Sequence, residues 1–157
     1  MLTVLKPPTP LPDQFDHPTV FLAGSIDMGQ AEAWQAQVET ALAACHLIVF
    51  NPRRDDWDAS WEQQISNPQF REQVEWELSA LERADLIAFY FAPTSLAPIT
   101  LLELGLFAHS GRAVVCCPTG YWRKGNLDIV CARYAIPQVA DLVALIAQIK
   151  ALTGRQY

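Results

Sequence analysis

The chain has no apolar run near the roughly 18 residues needed to span a bilayer, and no block of lysine or arginine. A membrane span is therefore not expected. Nor is a nucleic-acid binder that tracks phosphates with a basic face, and the net charge of -6 points the same way. The four cysteines, Cys45, Cys116, Cys117 and Cys131, form no CxxC pair. Reduced thiols are expected rather than a disulfide framework. His17, His46 and His109 lack metal-ligand spacing to one another or to cysteine, so no metal is expected. The opening "MLTVLKPPTPLPDQFDHP" lacks a signal peptide's apolar middle and small-residue cleavage site. With the free thiols, this gives the expectation of a cytoplasmic protein. Repeats and low-complexity blocks are also missing.

What is present is a folded composition. Of 157 residues, 51% are hydrophobic and 18% charged, which fits one domain with a substantial core. Residues 1–18 read as an extended Pro-rich arm, with five prolines and two aspartates between residues 7 and 18 and no helix or strand signal there. The domain proper is expected over residues 19–157. Its apolar runs are "TVFLAG", "LIVFNP", "DLIAFYF", "AVVCC" and "IVCARYAI". Helix-patterned segments alternate with them: "QAEAWQAQVETALAAC", a segment starting at the Asn67-Pro68 cap, residues 98–110, and "QVADLVALIAQIKAL". Strands apolar on both faces and alternating with helices predict an α/β fold with a five-stranded parallel sheet flanked by helices. In such a sheet the site lies beyond the carboxyl ends of the strands.

Two carboxylates fall where solvated charges do not belong. In "PQFREQVEWELSALERA", Phe70, Val74, Leu78 and Leu81 mark an apolar stripe. Glu72, Glu75 and Glu82 lie off it, whereas Glu77 lies on it. Buried carboxylates are rare unless paired or functional. Glu103, in "PITLLELGLFAHSGRAVVCC", is the only acid in its helix. Two placements are open. Thr100 to Glu103 fits a capping box, with Thr100 as N-cap. Alternatively Pro98 is the first helical residue, and Glu103 lies a turn inside. Either way Glu103 sits near a helix start at the rim of the sheet, where the helix dipole favours its ionised form. A poorly solvated carboxylate there is a suitable nucleophile toward a sugar's anomeric carbon.

The loops offer binding groups. In "GSIDMG", Gly24 and Ser25 expose amides to a hydroxyl or phosphate, and Asp27 argues against a dianion. In "NPRRDDWDASW", Arg53 and Arg54 offset the acids, while Trp57 and Trp61 suit stacking on a flat heteroaromatic ring. Asp55 or Asp56 can bond base edges or sugar hydroxyls. The loop "GYWRKGNLD" suits a contact between subunits.

The elements "VFLAGSI", "WELSALERADLIAFYF", "LLELGLFAHSGRAVV" and "GNLDIV", in this order over residues 19 to about 132, resemble the nucleoside 2-deoxyribosyltransferase family. The resemblance implies a flavodoxin-like (Rossmann-like) fold and exchange of the base of 2′-deoxynucleosides with free nucleobases, a purine or pyrimidine salvage reaction. It implies a retaining double displacement with Glu103 as nucleophile and no cofactor. Glu77 stands where the family has an acid that holds the sugar and handles the proton of the leaving base. Asn126 matches an asparagine given by a neighbouring subunit to the sugar's 5′ end, which implies a homo-oligomer with shared active sites. Two positions depart from the family. Phe21 replaces a tyrosine beside the nucleophile, leaving Ser25 or Tyr134 to orient Glu103. The loop after the third strand lacks a base-contacting acid, so base recognition shifts to Asp55, Asp56 and Trp57. The alternatives are a nucleoside or nucleoside 5′-monophosphate N-glycosidase using the same residues, and a non-catalytic nucleotide-sensing module. Asp27 and the acidity of the chain lead to an expected preference for free 2′-deoxynucleosides over 5′-monophosphates.

Overall fold

The computed structural model describes residues 1–25 and 33–154. Asp27, on which the expected repulsion of a dianion rests, lies outside the described residues, as does the anticipated helix start near Gln30. The strands are β1 (Thr3–Leu5), β2 (Thr19–Gly24), β3 (Ile48–Phe50), β4 (Leu86–Tyr90), β5 (Ala113–Cys116) and β6 (Gln138–Val139). The helices are α1 (Trp34–Leu42), α2 (Pro68–Arg83), α3 (Pro98–Phe107), α4 (Lys124–Arg133) and α5 (Leu142–Thr153). All these strands pair in parallel, in the order β1-β3-β2-β4-β5-β6.

Alternation along the buried strands makes two cores. Phe21, Phe50, Ile87, Phe89 and Val115 face α2, α3 and α4, meeting Trp76, Leu81, Leu104 and Leu127. Val20, Leu22, Val49, Ala88 and Val114 face the opposite way, onto Trp34, Val38 and Leu42 of α1 and Leu145 and Ile149 of α5. The result is a three-layer α/β sandwich consistent with the flavodoxin-like fold. After β2 the chain moves outward to β3, then crosses back to β4 on β2's other side. The carboxyl ends of β2 and β4 therefore flank the switch point, where ligands bind in open α/β sheets.

Three elements differ from the sequence expectation, and the sheet has six strands rather than five. Thr3–Leu5 pairs with β3, register Thr3↔Ile48 to Leu5↔Phe50, although residues 7–18 carry no strand or helix. The rest of the arm packs onto α2: Trp76 Nε1 donates to the Thr9 carbonyl at 2.8 Å, Arg83 donates to the Asp13 carbonyl at 3.1 Å, and Phe15 lies against Phe50. The segment "IVCARYAI" is not a strand but the end of α4. Leu127 and Cys131, four apart, are its buried residues, and Lys124 pairs with Asp128 at 2.8 Å along its outer face. The last strand is instead Gln138–Val139, so α5 starts only at Leu142, with Asp141 capping Ala144 N at 2.7 Å.

The start of α2 matches the sequence reading: Asn67 Oδ1 accepts from Phe70 N at 3.0 Å and Pro68 is the first helical residue. Its buried stripe is rotated, however, to Gln73, Trp76, Ala80 and Leu81. Trp76 is the bulkiest side chain available, and it turns inward onto Phe50.

Gly24 closes β2 because nothing larger fits. A β-carbon there would lie 2.4 Å from the Trp34 ring and 2.7 Å from the Tyr90 carbonyl, and backbone cannot give way. Gly105, mid-α3, has nothing within 4 Å of the same position. Gly24→Ala should lower unfolding stability by about 1–3 kcal/mol as an overpacked core does, whereas Gly105→Ala should raise it by roughly 0.5–1 kcal/mol as an exposed helix glycine does. Paired urea melts check this; equal behaviour of the two variants contradicts it.

Candidate active site

The loop from β4 sets Glu103. Ala97 takes a left-handed backbone conformation (φ 47°) and Pro98 starts α3. No side chain among the described residues caps this helix, and Thr100 is itself buried inside the first turn. The capping-box placement is thereby excluded, and Glu103 lies more than one turn inside the helix. It is 8% exposed. Among the described residues no hydrogen bond reaches its carboxylate. A carboxylate held this deep without a charge partner is unusual in a fold.

Glu77 approaches from α2, on the same side of the sheet. Its anchor is Gln73, one turn earlier and almost fully buried. Gln73 Nε2 donates to the Pro52 carbonyl at 2.9 Å and to Glu77 Oε1 at 2.6 Å. One amide thus fixes the helix to the carboxyl end of β3 and aims a carboxylate. Burial pushes the Glu77 carboxyl up to about 7, against the pull of the Gln73 hydrogen bond. Burial pushes Glu103 further, to about 8, and the neighbouring Glu77 charge adds to it. Desolvation here outweighs the helix dipole, which by itself would keep Glu103 ionised. Two carboxyls that sense each other in a poorly solvated site form a pair that gives up its protons near neutral pH.

The other expected site residues divide. Gly24 and Ser25 lie at the switch point; Ser25 is 1% exposed and its Oγ has no partner among the described residues. It does not orient Glu103. Phe21 is fully buried in the core and offers no polar group. Tyr134 follows the C-terminus of α4 and packs on His109, just past the end of α3 and six residues beyond Glu103. Asp55 and Asp56 are not turned toward the carboxylate pair. Asp55 is exposed and bound to Lys6 at 2.9 Å; Asp56 is exposed and bound to Arg54 at 2.7 Å. Arg54, its side chain 6% exposed, also binds Glu72 at 2.9 Å and lies over the Trp61 ring. Trp57 packs edge-on to Trp61. Asn126 is exposed in the first turn of α4. In the neighbouring loop Tyr121 and Trp122 both donate to the Leu96 carbonyl, at 2.8 and 3.1 Å, so these aromatics tie their loop to the one preceding α3.

Sequence reasoning missed Gln73 and Gln35. Both are polar residues on a buried helical face, Gln35 beside Trp34 and Gln73 four before Glu77. The same on-stripe test that singles out Glu77 finds them once the stripe is drawn through the tryptophans.

The buried Glu103 and half-buried Glu77 thus lie near each other on one side of a doubly wound α/β sheet, and comparison with known proteins supplies the family. The chain belongs to the family described as nucleoside 2-deoxyribosyltransferase like, whose model matches residues 17–121. A crystal structure of a conserved protein from Enterococcus faecalis V583 shares the fold, with TM-score 0.58 and 13% identity over 86% of this chain and 98% of that one. No curated protein matches significantly. Among the described residues no group of His, Cys, Asp and Glu is arranged to hold a metal, and no helix is long and apolar enough to cross a membrane.

The acid pair should weaken the fold. A carboxyl raised from 4.5 to about 8 keeps its proton in the folded state after the unfolded chain has lost it. Stability therefore falls as pH rises from about 4.5 to about 8, then levels. Glu103→Gln should stabilise the protein little at the acid end of that range and increasingly toward the alkaline end. The gain should reach on the order of a few kcal/mol, since each tenfold change in an acid's dissociation constant is worth about 1.4 kcal/mol. Urea melts of both proteins across the range check it, and a pH-independent difference contradicts the burial.

Proposed function

We propose that the protein transfers the 2-deoxyribosyl group of a 2′-deoxynucleoside to another nucleobase through a covalent intermediate on Glu103. The observation that carries this reading is Glu103, 8% exposed with no hydrogen bond to its carboxylate among the described residues, and Glu77 near enough for its charge to act on it. A Glu103 oxygen attacks C1′. The C1′–N bond breaks, its electron pair stays with the base, and the base takes a proton from Glu77. The second base attacks C1′ of the ester, releases the Glu103 carboxylate and returns a proton to Glu77. Two inversions give retention. Water in place of the second base gives the N-glycosidase, with the same residues in the same roles.

The reactive form is the pair holding one proton in the arrangement with Glu103 ionised and Glu77 protonated, the less populated of the two, since burial holds the proton on Glu103 to about 8 and on Glu77 to about 7. The Trp57 ring, standing edge-on to Trp61, offers an aromatic face for the base, and Asp55 and Asp56 reach a base edge by leaving their ion pairs with Lys6 and Arg54. Gly24 and Ser25 face the sugar. Asn126 is assigned to the site of a neighbouring subunit. An oligomer is supported by α3, whose outer face exposes Ile99, Leu102 and Leu106 by more than half, beside exposed Leu96.

Incubation with deoxyinosine, with and without adenine, separates the outcomes by chromatography. Deoxyadenosine formed only with adenine is the expected result, and free hypoxanthine without any transfer is the hydrolase. Glu103→Ala should lose activity by several orders of magnitude while staying folded. The rate should follow a bell with limbs near about 7 and about 8, set by the pair. Sedimentation should show an oligomer that Leu102→Asp dissociates. Near-normal transfer by Glu103→Ala sinks the mechanism, and a wild-type monomer sinks the shared site.

A further inference from the structure

Among the cationic side chains described near the carboxyl end of the sheet, two make no ion pair, Arg53 and Arg123. Lys6, Arg54 and Lys124 each hold a carboxylate. Arg123 lies over the Trp122 ring. Arg53, half-buried, makes no ion pair among the described residues; its guanidinium meets only Gln35 Oε1, at 3.5 Å. Its backbone is fixed by Asn51, whose Oδ1 accepts from Arg53 N at 2.9 Å. Asn51 in turn donates to Glu39 at 2.6 Å, which occupies that acid.

Two buried groups beside Arg53 also lack partners. Gln35 and Ser25 are each 1% exposed, and among the described residues neither Gln35 Nε2 nor Ser25 Oγ has a hydrogen-bond partner. They belong to one place. Trp34 Nε1 donates to the Ser25 carbonyl at 3.2 Å, and Gln35 is the next residue. Arg53 reaches the same place through its 3.5 Å contact with Gln35 Oε1. Gln35 is in the first turn of α1, a helix whose N-terminus no described side chain caps. A guanidinium, an amide N–H and a hydroxyl thus gather near the first turn of α1. Their common need is an acceptor, and an anion satisfies all of them.

We propose that this cluster is an anion site for a phosphate monoester at the 5′ end of the sugar, making a 2′-deoxynucleoside 5′-monophosphate the preferred substrate. The inference rests on the reaction proposed above and specifies its substrate. Geometry connects the two. Gln73 grips both Glu77 and the Pro52 carbonyl, and Arg53 is the next residue along, so the acid pair and the donors flank one stretch of backbone. A dianion meets the guanidinium and the helix dipole. A neutral 5′-hydroxyl leaves the guanidinium unmatched. This reverses the preference expected from the sequence, in which Arg53 counts among the residues offsetting local acids. Arg54 does that work for Asp56 and Glu72, and Arg53 is left over.

Titration calorimetry with 2-deoxyribose 5-phosphate and with 2-deoxyribose tests the site without any turnover. The phosphorylated sugar should bind at least about tenfold more tightly. That advantage should vanish in Arg53→Ala, shrink in Gln35→Leu and survive in part in Arg53→Lys. Circular dichroism confirms that each variant is folded. In parallel, kcat/KM for deoxyadenosine 5′-monophosphate should exceed that for deoxyadenosine in the wild type and fall toward it in Arg53→Ala. Equal affinity for the two sugars overturns the site, as does a phosphate preference that persists in folded Arg53→Ala. Tight binding of the phosphosugar with no base released from either substrate keeps the site and sinks the reaction. Cleavage of deoxyadenosine without any phosphate preference keeps the reaction and sinks the site.

Discussion

The desolvation of two carboxyl groups on one side of the sheet is the constraint around which this molecule is arranged. Glu103 enters the interior with no hydrogen bond among the described residues, and Glu77 enters with one. Neither forms an ion pair with a described cation. A fold selected for stability alone has no use for such a pair, because each raised pKa is a penalty on the folded state at neutral pH. The penalty is tolerated because the surrounding core is large and apolar. It is also localised, since Gln73 and the turn at Ala97 and Pro98 hold the two helices that carry the acids.

The parallel topology explains why these groups meet. The crossover from β3 to β4 carries α2 over β2, and the connection after β4 lays α3 on the same side. Two glutamates 26 positions apart by number become neighbours across β2. The opposite layer begins with α1, whose first turn brings Gln35 to the same edge. The switch point then has two chemistries, acid on one side and unpaired donors on the other. The peptide from Pro52 to Arg53 stands between them. On the proposed reading, a sugar whose anomeric carbon faces the acids and whose 5′ phosphate faces the donors uses both.

Much of this is legible in residue patterns. The strands at residues 19–24, 86–90 and 113–116 are continuous apolar runs bounded by turn signals, and the Asn67-Pro68 start is a local cap that tertiary packing leaves intact. Glu77 and Glu103 stand out because a charge on an apolar face needs a reason. The strands of two or three residues, β1 and β6, give no run to detect; they exist because neighbouring strands offer unpaired edges. The Ile-Val-Cys stretch in α4 has strand-like composition, and only the four-residue spacing of Leu127 and Cys131 betrays a helix. Arg53 and Arg54 are indistinguishable as letters. Their different fates depend on Asp56, Glu72 and Asn51 in three dimensions.

The most direct test of the acid pair is a pH titration by NMR with the glutamate side-chain carboxyl carbons labelled with carbon-13. Glu77→Gln and Glu103→Gln assign the two resonances. Two carboxyls titrating near about 7 and about 8, far above the surface glutamates, are predicted, with the Glu103 midpoint moving down once Glu77 is replaced. Midpoints near 4.5 for both, each unmoved by substitution of the other, would contradict the account.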